Sequence, residues 1–257
     1  MLLSVVIITY NEEKNIQRCL DSVRRIADEI VIVDSYSTDN TKAICGQYNA
    51  KFIEHPFAGY GQQKNIALQH ASHDHVLSLD ADEALNETMI QSILRAKSEN
   101  LSYDGYTMNR CTHYCGGWIR HGTWYPDRKL RLFNRHKVQW STDPIHETTV
   151  IPAGARIHHL PGDILHYSYN NLDEHITQNN KFSTLSAEFY FSKGKKASLV
   201  KLVVNPAWAY IQCYLLRLGF LDGFRGYVIA KNVAHLTFMK YYKLYALQRG
   251  IPVKAVK

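Results

Sequence analysis

Three carboxylates stand together in Val76-Leu77-Ser78-Leu79-Asp80-Ala81-Asp82-Glu83, directly after an apolar run. A buried strand that stops on acids delivers fixed negative charge to the edge of a sheet. The ligand that suits such crowding is a hard divalent cation, Mg²⁺ or Mn²⁺, which takes oxygen ligands from one or two carboxylates and from substrate phosphates. Asp-Ala-Asp by itself equally fits a helix cap or a solvated turn. Glu83 reads as a helix-entry acid.

Two further sets of residues carry chemistry. Arg128, Lys129 and Arg131 lie in Asp127-Arg128-Lys129-Leu130-Arg131-Leu132-Phe133-Asn134-Arg135, where Arg131, Phe133 and Arg135 alternate with Leu130 and Leu132. The alternation predicts a strand that is apolar behind and cationic in front, able to clamp a phosphate, with Arg doing so bidentately. Next, Trp140-Ser141-Thr142-Asp143-Pro144-Ile145-His146-Glu147 ends a strand-turn unit on a His-Glu pair. Asp127 and Asp143 are alternative bases, and Asp143 before Pro144 reads first as a turn residue. Cys111, His113, Cys115 and His121 match no standard zinc spacing. His158, His159 and His166 read as strand residues. Trp118, Trp124 and Trp140 suit either sugar stacking or a core.

The elements that must position these groups follow from periodicity. Ser4 to Thr9 is a continuous β-branched strand, and Glu12 to Ala27 switches to helical spacing through Ile16, Cys19, Leu20 and Val23. Glu29 to Asp34 repeats the strand, and Ser37, Thr38 and Asp39 offer caps for a second helix. A strand at Lys51 to Glu54, a helix at Gln62 to Ala71 that carries Lys64 and Asn65, the acid-ended strand and a helix at Glu87 to Lys97 complete the first hundred residues. Strands alternating with helices imply a parallel, helix-covered sheet, which binds ligands beyond its carboxyl strand ends. Those ends offer Tyr10, Asn11 and Glu12, then Asp34, then Asp80 and Asp82. No G-x-G-x-x-G follows the first strand and no Walker A loop is present, which excludes a dehydrogenase-type dinucleotide fold and a P-loop NTPase.

At 257 residues the chain can bury a full core. Five cysteines, an odd and scattered set, argue against a disulfide framework. Met1 to Ile8 lacks the basic leader and cleavage site of a signal peptide, so the expected location is cytoplasmic. From Lys193 onward twelve Lys or Arg face one acid, Asp222, a net of +11 against +7 for the whole chain, so the first 192 residues carry −4. A basic, aromatic C-terminal quarter fits docking on an anionic membrane or a phosphorylated partner, and no nucleic-acid-binding motif is present. Leu199 to Phe220 is apolar but broken by Lys201, Pro206 and Arg217, so an in-plane or packed helix is expected rather than a span.

Four motifs in order, Val5-Val6-Ile7-Ile8-Thr9-Tyr10-Asn11-Glu12-Glu13, Ile32-Val33-Asp34-Ser35-Tyr36-Ser37-Thr38-Asp39-Asn40-Thr41, Gly61-Gln62-Gln63-Lys64-Asn65 and Leu79-Asp80-Ala81-Asp82-Glu83, make the chain resemble a family-2 glycosyltransferase of GT-A fold. Arg128-Lys129-Leu130-Arg131 followed by His146-Glu147 resembles the bacterial lipopolysaccharide-core glucosyltransferase branch. The resemblance implies an α/β, Rossmann-like, mostly parallel sheet covered by helices, with a helical basic C-terminal extension. It divides the chain into a donor-binding half at 1–100, an acceptor half at 101–170 and a helical region at 171–257.

The resemblance also assigns roles. Tyr10 and Asp34 hold the nucleotide base, with Asn11, Glu12 and Asp39 beside that pocket. Asp80 meets the ribose or sugar, and Asp82, with Asp80 near it, binds Mg²⁺ or Mn²⁺ on the diphosphate. Lys64 stands where the family often has an Arg. Arg128, Lys129 or Arg131 meets the diphosphate or an acceptor phosphate, and Glu147 is the base of an inverting displacement. The implied reaction moves a hexose, glucose foremost, from a UDP-sugar to a hydroxyl of a membrane glycolipid of the lipopolysaccharide inner core, on the inner face of the cytoplasmic membrane. The alternatives are a sugar-phosphate nucleotidyltransferase, against which the missing Gly-rich loop speaks, and a non-catalytic membrane-surface module.

Overall fold

The computed structural model describes residues 1–142 and 148–253. In chain order the elements are β1 (Leu3–Thr9), α1 (Ile16–Val23), β2 (Glu29–Asp34), α2 (Thr41–Cys45), β3 (Lys51–Glu54), α3 (Tyr60–His70), β4 (His75–Asp80), β5 (Glu83–Leu85), α4 (Glu87–Ser98), β6 (Gly105–Tyr114), β7 (Gly117–Trp118), β8 (Asp127–Asn134), β9 (Gln139–Trp140), β10 (Thr149–Val150), β11 (Ile157–Tyr169), α5 (Leu172–Ser192), α6 (Leu199–Ile211) and α7 (Gly223–Leu247). They form two compact units. One comprises Met1–Cys111 with Asp127–Tyr167, and the other Thr112–Pro126 with the chain from Ser168 onward.

In the first unit the strands run β3-β2-β1-β4-β8-β6-β11-β5. Pairing is parallel through β3, β2, β1 and β4, and antiparallel where β8 joins β4 and β6 and where β5 joins β11. The parallel half buries both faces, which is why its strands read as unbroken apolar runs. Leu3, Val5 and Ile7 pack with Ile16, Leu20 and Val23 of α1 and with Met89 and Ile93 of α4. Val6, Val31 and Val33 point the other way, into Ala67 and Leu68 of α3. α1 starts later than its periodicity suggests, because Glu12 to Asn15 forms a turn in which the Asn15 and Ile16 amides both donate to the Glu12 carbonyl.

β8 departs from simple alternation. Tyr106 pairs with Leu132 but Thr107 with Leu130, so Arg131 is the extra residue of a β-bulge. Leu130 consequently joins Phe133 in one core cluster while Leu132 enters the other. The expected cationic front does not form, since Arg131 and Phe133 are both buried. Where β11 passes α4, Gly162 (φ +112°) is required. A Cβ there would run into the Met89 backbone.

In the second unit the end of β6 forms a hairpin with β7. A core of Tyr114, Ile119, Cys213, Ile229 and Ala230 lies among α7, the turn after α6 and the 112–126 segment. Asp222 anchors that segment by accepting from the Arg120 and His121 amides and pairing with the His121 ring at 2.8 Å. Gly226 has no room for a side chain, as a Cβ would run into the Gly219 carbonyl.

Candidate functional site

The turn after β4 is built by the acid that the sequence discards. Glu83 is not at a helix entry. It lies in β5 with its carboxylate buried, and the helix cap is Asn86, whose side chain accepts from the Met89 amide. Glu83 accepts from the Asp80 amide at 3.0 Å and from Arg131 at 2.8 Å, with Arg110 at 3.6 Å. The bend that lets Asp80 and Asp82 share a rim is thus tied by a buried ion pair.

Asp80 is gripped by two cations. Lys64 Nζ lies 3.0 Å from Oδ1 and Arg131 Nη2 lies 3.1 Å from Oδ2. Burial alone would raise the Asp80 carboxyl, but the Lys64 and Arg131 charges beside it hold it well below the usual carboxylate range. Both cations are almost completely buried, at 2% exposure each, while the Asp80 side chain keeps 25%. The Trp140 ring backs them, 4.5 Å from Lys64 Nζ and 5.5 Å from the Arg131 guanidinium. Trp140 is accordingly a buried wall. Arg131, expected on a cationic face, is an inward partner of Asp80 and Glu83 because the bulge turns it there.

Asp82 has a different neighbourhood. Its Oδ2 lies 3.1 Å from His166 Nε2, and its carbonyl accepts from the Tyr167 amide at 2.9 Å. β11 delivers this imidazole, since His166 pairs in register with Glu83. His166 is therefore a strand residue, as its setting suggested, and also the side chain facing Asp82. Only that long-range pairing could have revealed it. Among the described residues no group of three or more His, Cys, Asp or Glu side chains forms a ready metal cage. The Asp82 carboxylate and His166 imidazole are a two-member donor set, which fits a cation that completes its shell with substrate phosphates and water.

The ends of β1 and β2 are stitched into one wall. Asn11, at φ 53°, donates its amide to Ser37 Oγ and accepts from the Thr38 amide, each at 2.8 Å. The Glu12 amide donates to Thr41 Oγ1, and the Glu13 amide to Asp39. Asp34 is 1% exposed, and both of its oxygens accept from Ser37. Tyr10 projects outward at 58% exposure. Burial is the main influence raising the Glu12 carboxyl, opposed by a hydrogen bond from Asn15 and reinforced by Asp82, Asp39 and Asp80 nearby. Asp39 is held below its ordinary value, since hydrogen bonds from Thr41 and Glu13 outweigh its burial.

The remaining predicted residues are dispersed. Arg128 is exposed on β8. Lys129 and Arg110 both bind Asp127, at 3.0 and 2.8 Å, which occupies that alternative base. Glu147 and Asp143 lie outside the described residues. Their flanks are anchored beside Lys64. Asn65 exchanges two 2.9 Å hydrogen bonds with the Trp140 backbone, and Ser141 pairs with Thr148. In the second unit His121 is bound to Asp222, and Trp124 stacks on Tyr169 in an aromatic cluster.

The family model described as glycosyl transferase family 2 matches residues 4–156. The lipopolysaccharide core biosynthesis glycosyltransferase LpsC of Rhizobium meliloti is 32% identical, over 96% of this chain and 94% of that protein. An uncharacterised glycosyltransferase of Rickettsia typhi is 30% identical, over 94% of this chain and 86% of its own length. In fold, the chain is similar to the mannosyltransferase PcManGT of Pyrobaculum calidifontis, solved with GDP-Man and Mn²⁺. The TM-score is 0.56 at 15% identity, covering 94% of this chain and 86% of that one. The α/β class with a helical C-terminal region, expected from the motifs, is the architecture found.

Proposed function

The chain belongs to glycosyl transferase family 2 and is a glycosyltransferase, and from that premise we propose that it moves a hexose, glucose foremost, from a UDP-sugar to a hydroxyl of a membrane glycolipid of the lipopolysaccharide inner core. The name of the Rhizobium relative supports the acceptor class. Family membership sets aside the nucleotidyltransferase and non-catalytic readings. The observation that carries the site is the partly exposed Asp82–His166 pair at 3.1 Å, beside an Asp80 neutralised by Lys64 and Arg131.

In this reading Asp82 and His166 hold Mn²⁺ or Mg²⁺. When bound, the cation supplies Lewis-acid stabilisation of the charge on the leaving diphosphate. Asp80, kept ionised by its two cations, accepts from hydroxyls of the donor's ribose or sugar. Tyr10 offers its exposed ring to the base, and Asp34, covered and held by Ser37, accepts from a uracil imide, a donor adenine lacks, once the base displaces the Ser37 hydroxyl. Asn11, Glu12 and Asp39 shape that wall. Arg128 and Lys129 are the cations within reach of an acceptor phosphate. Glu147 takes the proton of the attacking hydroxyl in a single displacement that inverts the anomeric centre. The domain roles follow, with donor binding at 1–100, acceptor binding at 101–170 and a basic helical region at 171–257 that holds the enzyme on the inner face of the cytoplasmic membrane.

The test is a panel of nucleotide sugars with Mn²⁺ and purified lipopolysaccharide-core acceptor, read by mass spectrometry. The expected result is nucleoside diphosphate release and an acceptor heavier by one hexose. Pyrophosphate release, or no acceptor gain with any donor, overturns the reading.

A further inference from the structure

We infer that the outward apolar face of α6, continued by the turn that leads into α7, inserts into the interface of an anionic phospholipid bilayer with α6 lying in the membrane plane. The inference rests on the membrane-borne acceptor proposed above and names the surface that meets the membrane. α6 contributes no buried residue although its sequence is largely apolar. Leu199 is 75% exposed, Val203 70% and Trp208 55%, and the exposure continues through Leu216, the last residue of the π-helical turn Gln212–Leu216, to Leu221 and Phe224. A contiguous exposed patch of this kind marks an interaction surface.

The rest of the unit decides between lying on the membrane and crossing it. Leu199–Leu216 is long and apolar enough to span by length and composition. However, Pro206 and the π-helical turn interrupt that run, and its 18 residues rise at most about 27 Å against a hydrocarbon core of about 30 Å. One flank of α6 is held to α7, with Tyr210 edge-on to Tyr227 and Lys231 Nζ 5.0 Å from the Tyr210 ring. A spanning α6 would drag Lys231 into hydrocarbon. An in-plane α6 keeps that flank on protein and gives the lipid only the apolar face.

Charge decides what covers the face. Lys193, Lys195, Lys196 and Lys201 crowd its start, and Arg217 and Arg225 follow its end, within a stretch of net +11. A second copy would bring like charges together, and lysine is depleted at protein interfaces. Anionic headgroups complement that ring, and Trp208 has the amphipathic shape found at the headgroup level.

The test uses the full chain with phosphatidylcholine vesicles, with and without phosphatidylglycerol. Wild type is expected to bind the anionic vesicles, and brominated lipid is expected to quench a fluorescence component that disappears in Trp208→Phe. The double variant Val203→Asp/Phe224→Asp, both exposed positions, is expected to keep its circular dichroism and its donor hydrolysis while losing about tenfold or more in vesicle affinity. Wild-type affinity in that variant overturns the insertion surface and leaves a membrane acceptor standing. A dimer in sedimentation that the double variant dissociates, with no vesicle binding, assigns the face to a second copy and overturns it as well. Failure of wild type to bind any anionic vesicle, with hexose transfer to solubilised acceptor intact, overturns the inference and spares the reaction.

Discussion

Asp80 and Asp82 are two residues apart, yet their surroundings give them different work. Asp80 faces two buried cations, and Asp82 faces an imidazole at 3.1 Å. Asp82→Ala is therefore expected to abolish Mn²⁺-dependent donor binding, as measured by calorimetry with and without the metal. His166→Ala should weaken it, and unchanged metal dependence in His166→Ala removes that residue from the proposed donor set. Glu147→Gln is expected to leave donor binding intact and remove turnover, so full activity in it sinks the proposed base. Arg131→Met strips the nearer cation from the buried Glu83 carboxylate, which keeps only Arg110 at 3.6 Å, and uncovers one side of Asp80. Its expected cost is about 3 kcal/mol in urea unfolding, far more than an exposed Arg128→Met would show.

At the scale of elements, two strands act as levers. The bulge turns Arg131 from the surface of β8 into the site, and β11 brings His166 opposite Asp82 through its antiparallel pairing with β5. In the second unit, α5 carries His175 into a cluster with Tyr114, Trp124 and Tyr169. Burial pushes this imidazole down to about 4, and Tyr114 Oη lies 3.0 Å from its Nδ1. The folded chain holds His175 neutral, while the unfolded chain protonates it below about 6.5. Its stabilisation is complete above pH 6.5 and is lost as the pH falls toward 4. Melting temperature should fall across that window before the carboxylates titrate, and His175→Gln should flatten the fall. His75 and His159, also lowered by burial, add the remainder. A His175→Gln profile parallel to wild type contradicts the assignment.

For the whole molecule, the charge division is the dominant feature, −4 over residues 1–192 against +11 beyond. A basic region serving an anionic membrane makes transfer to vesicle-borne acceptor fall with added salt, because exposed charges are screened within about 8 Å at physiological ionic strength. Donor hydrolysis in solution should change little over the same range. Equal salt dependence in both assays contradicts membrane attraction by charge.

Apart from the short β5, the order of strands and helices in the first hundred residues, and the gathering of Tyr10, Asn11, Asp34, Asp80 and Asp82 at carboxyl strand ends, were legible in the sequence. Local periodicity sets those elements, and a parallel sheet places all its strand ends on one rim. What only the tertiary structure decided involves partners distant along the chain. Glu83 became the buried anchor of the turn, Arg131 its counter-ion and His166 the companion of Asp82, through contacts 48 and 51 residues apart for Arg131 and through the register of β5 with β11 for His166. A one-residue bulge reverses which side of a strand a residue faces, and the alternation of Arg131, Phe133 and Arg135 contains no mark of it. The C-terminal apolar run was legible as composition, but that α6 turns it outward follows from which of its flanks α7 occupies.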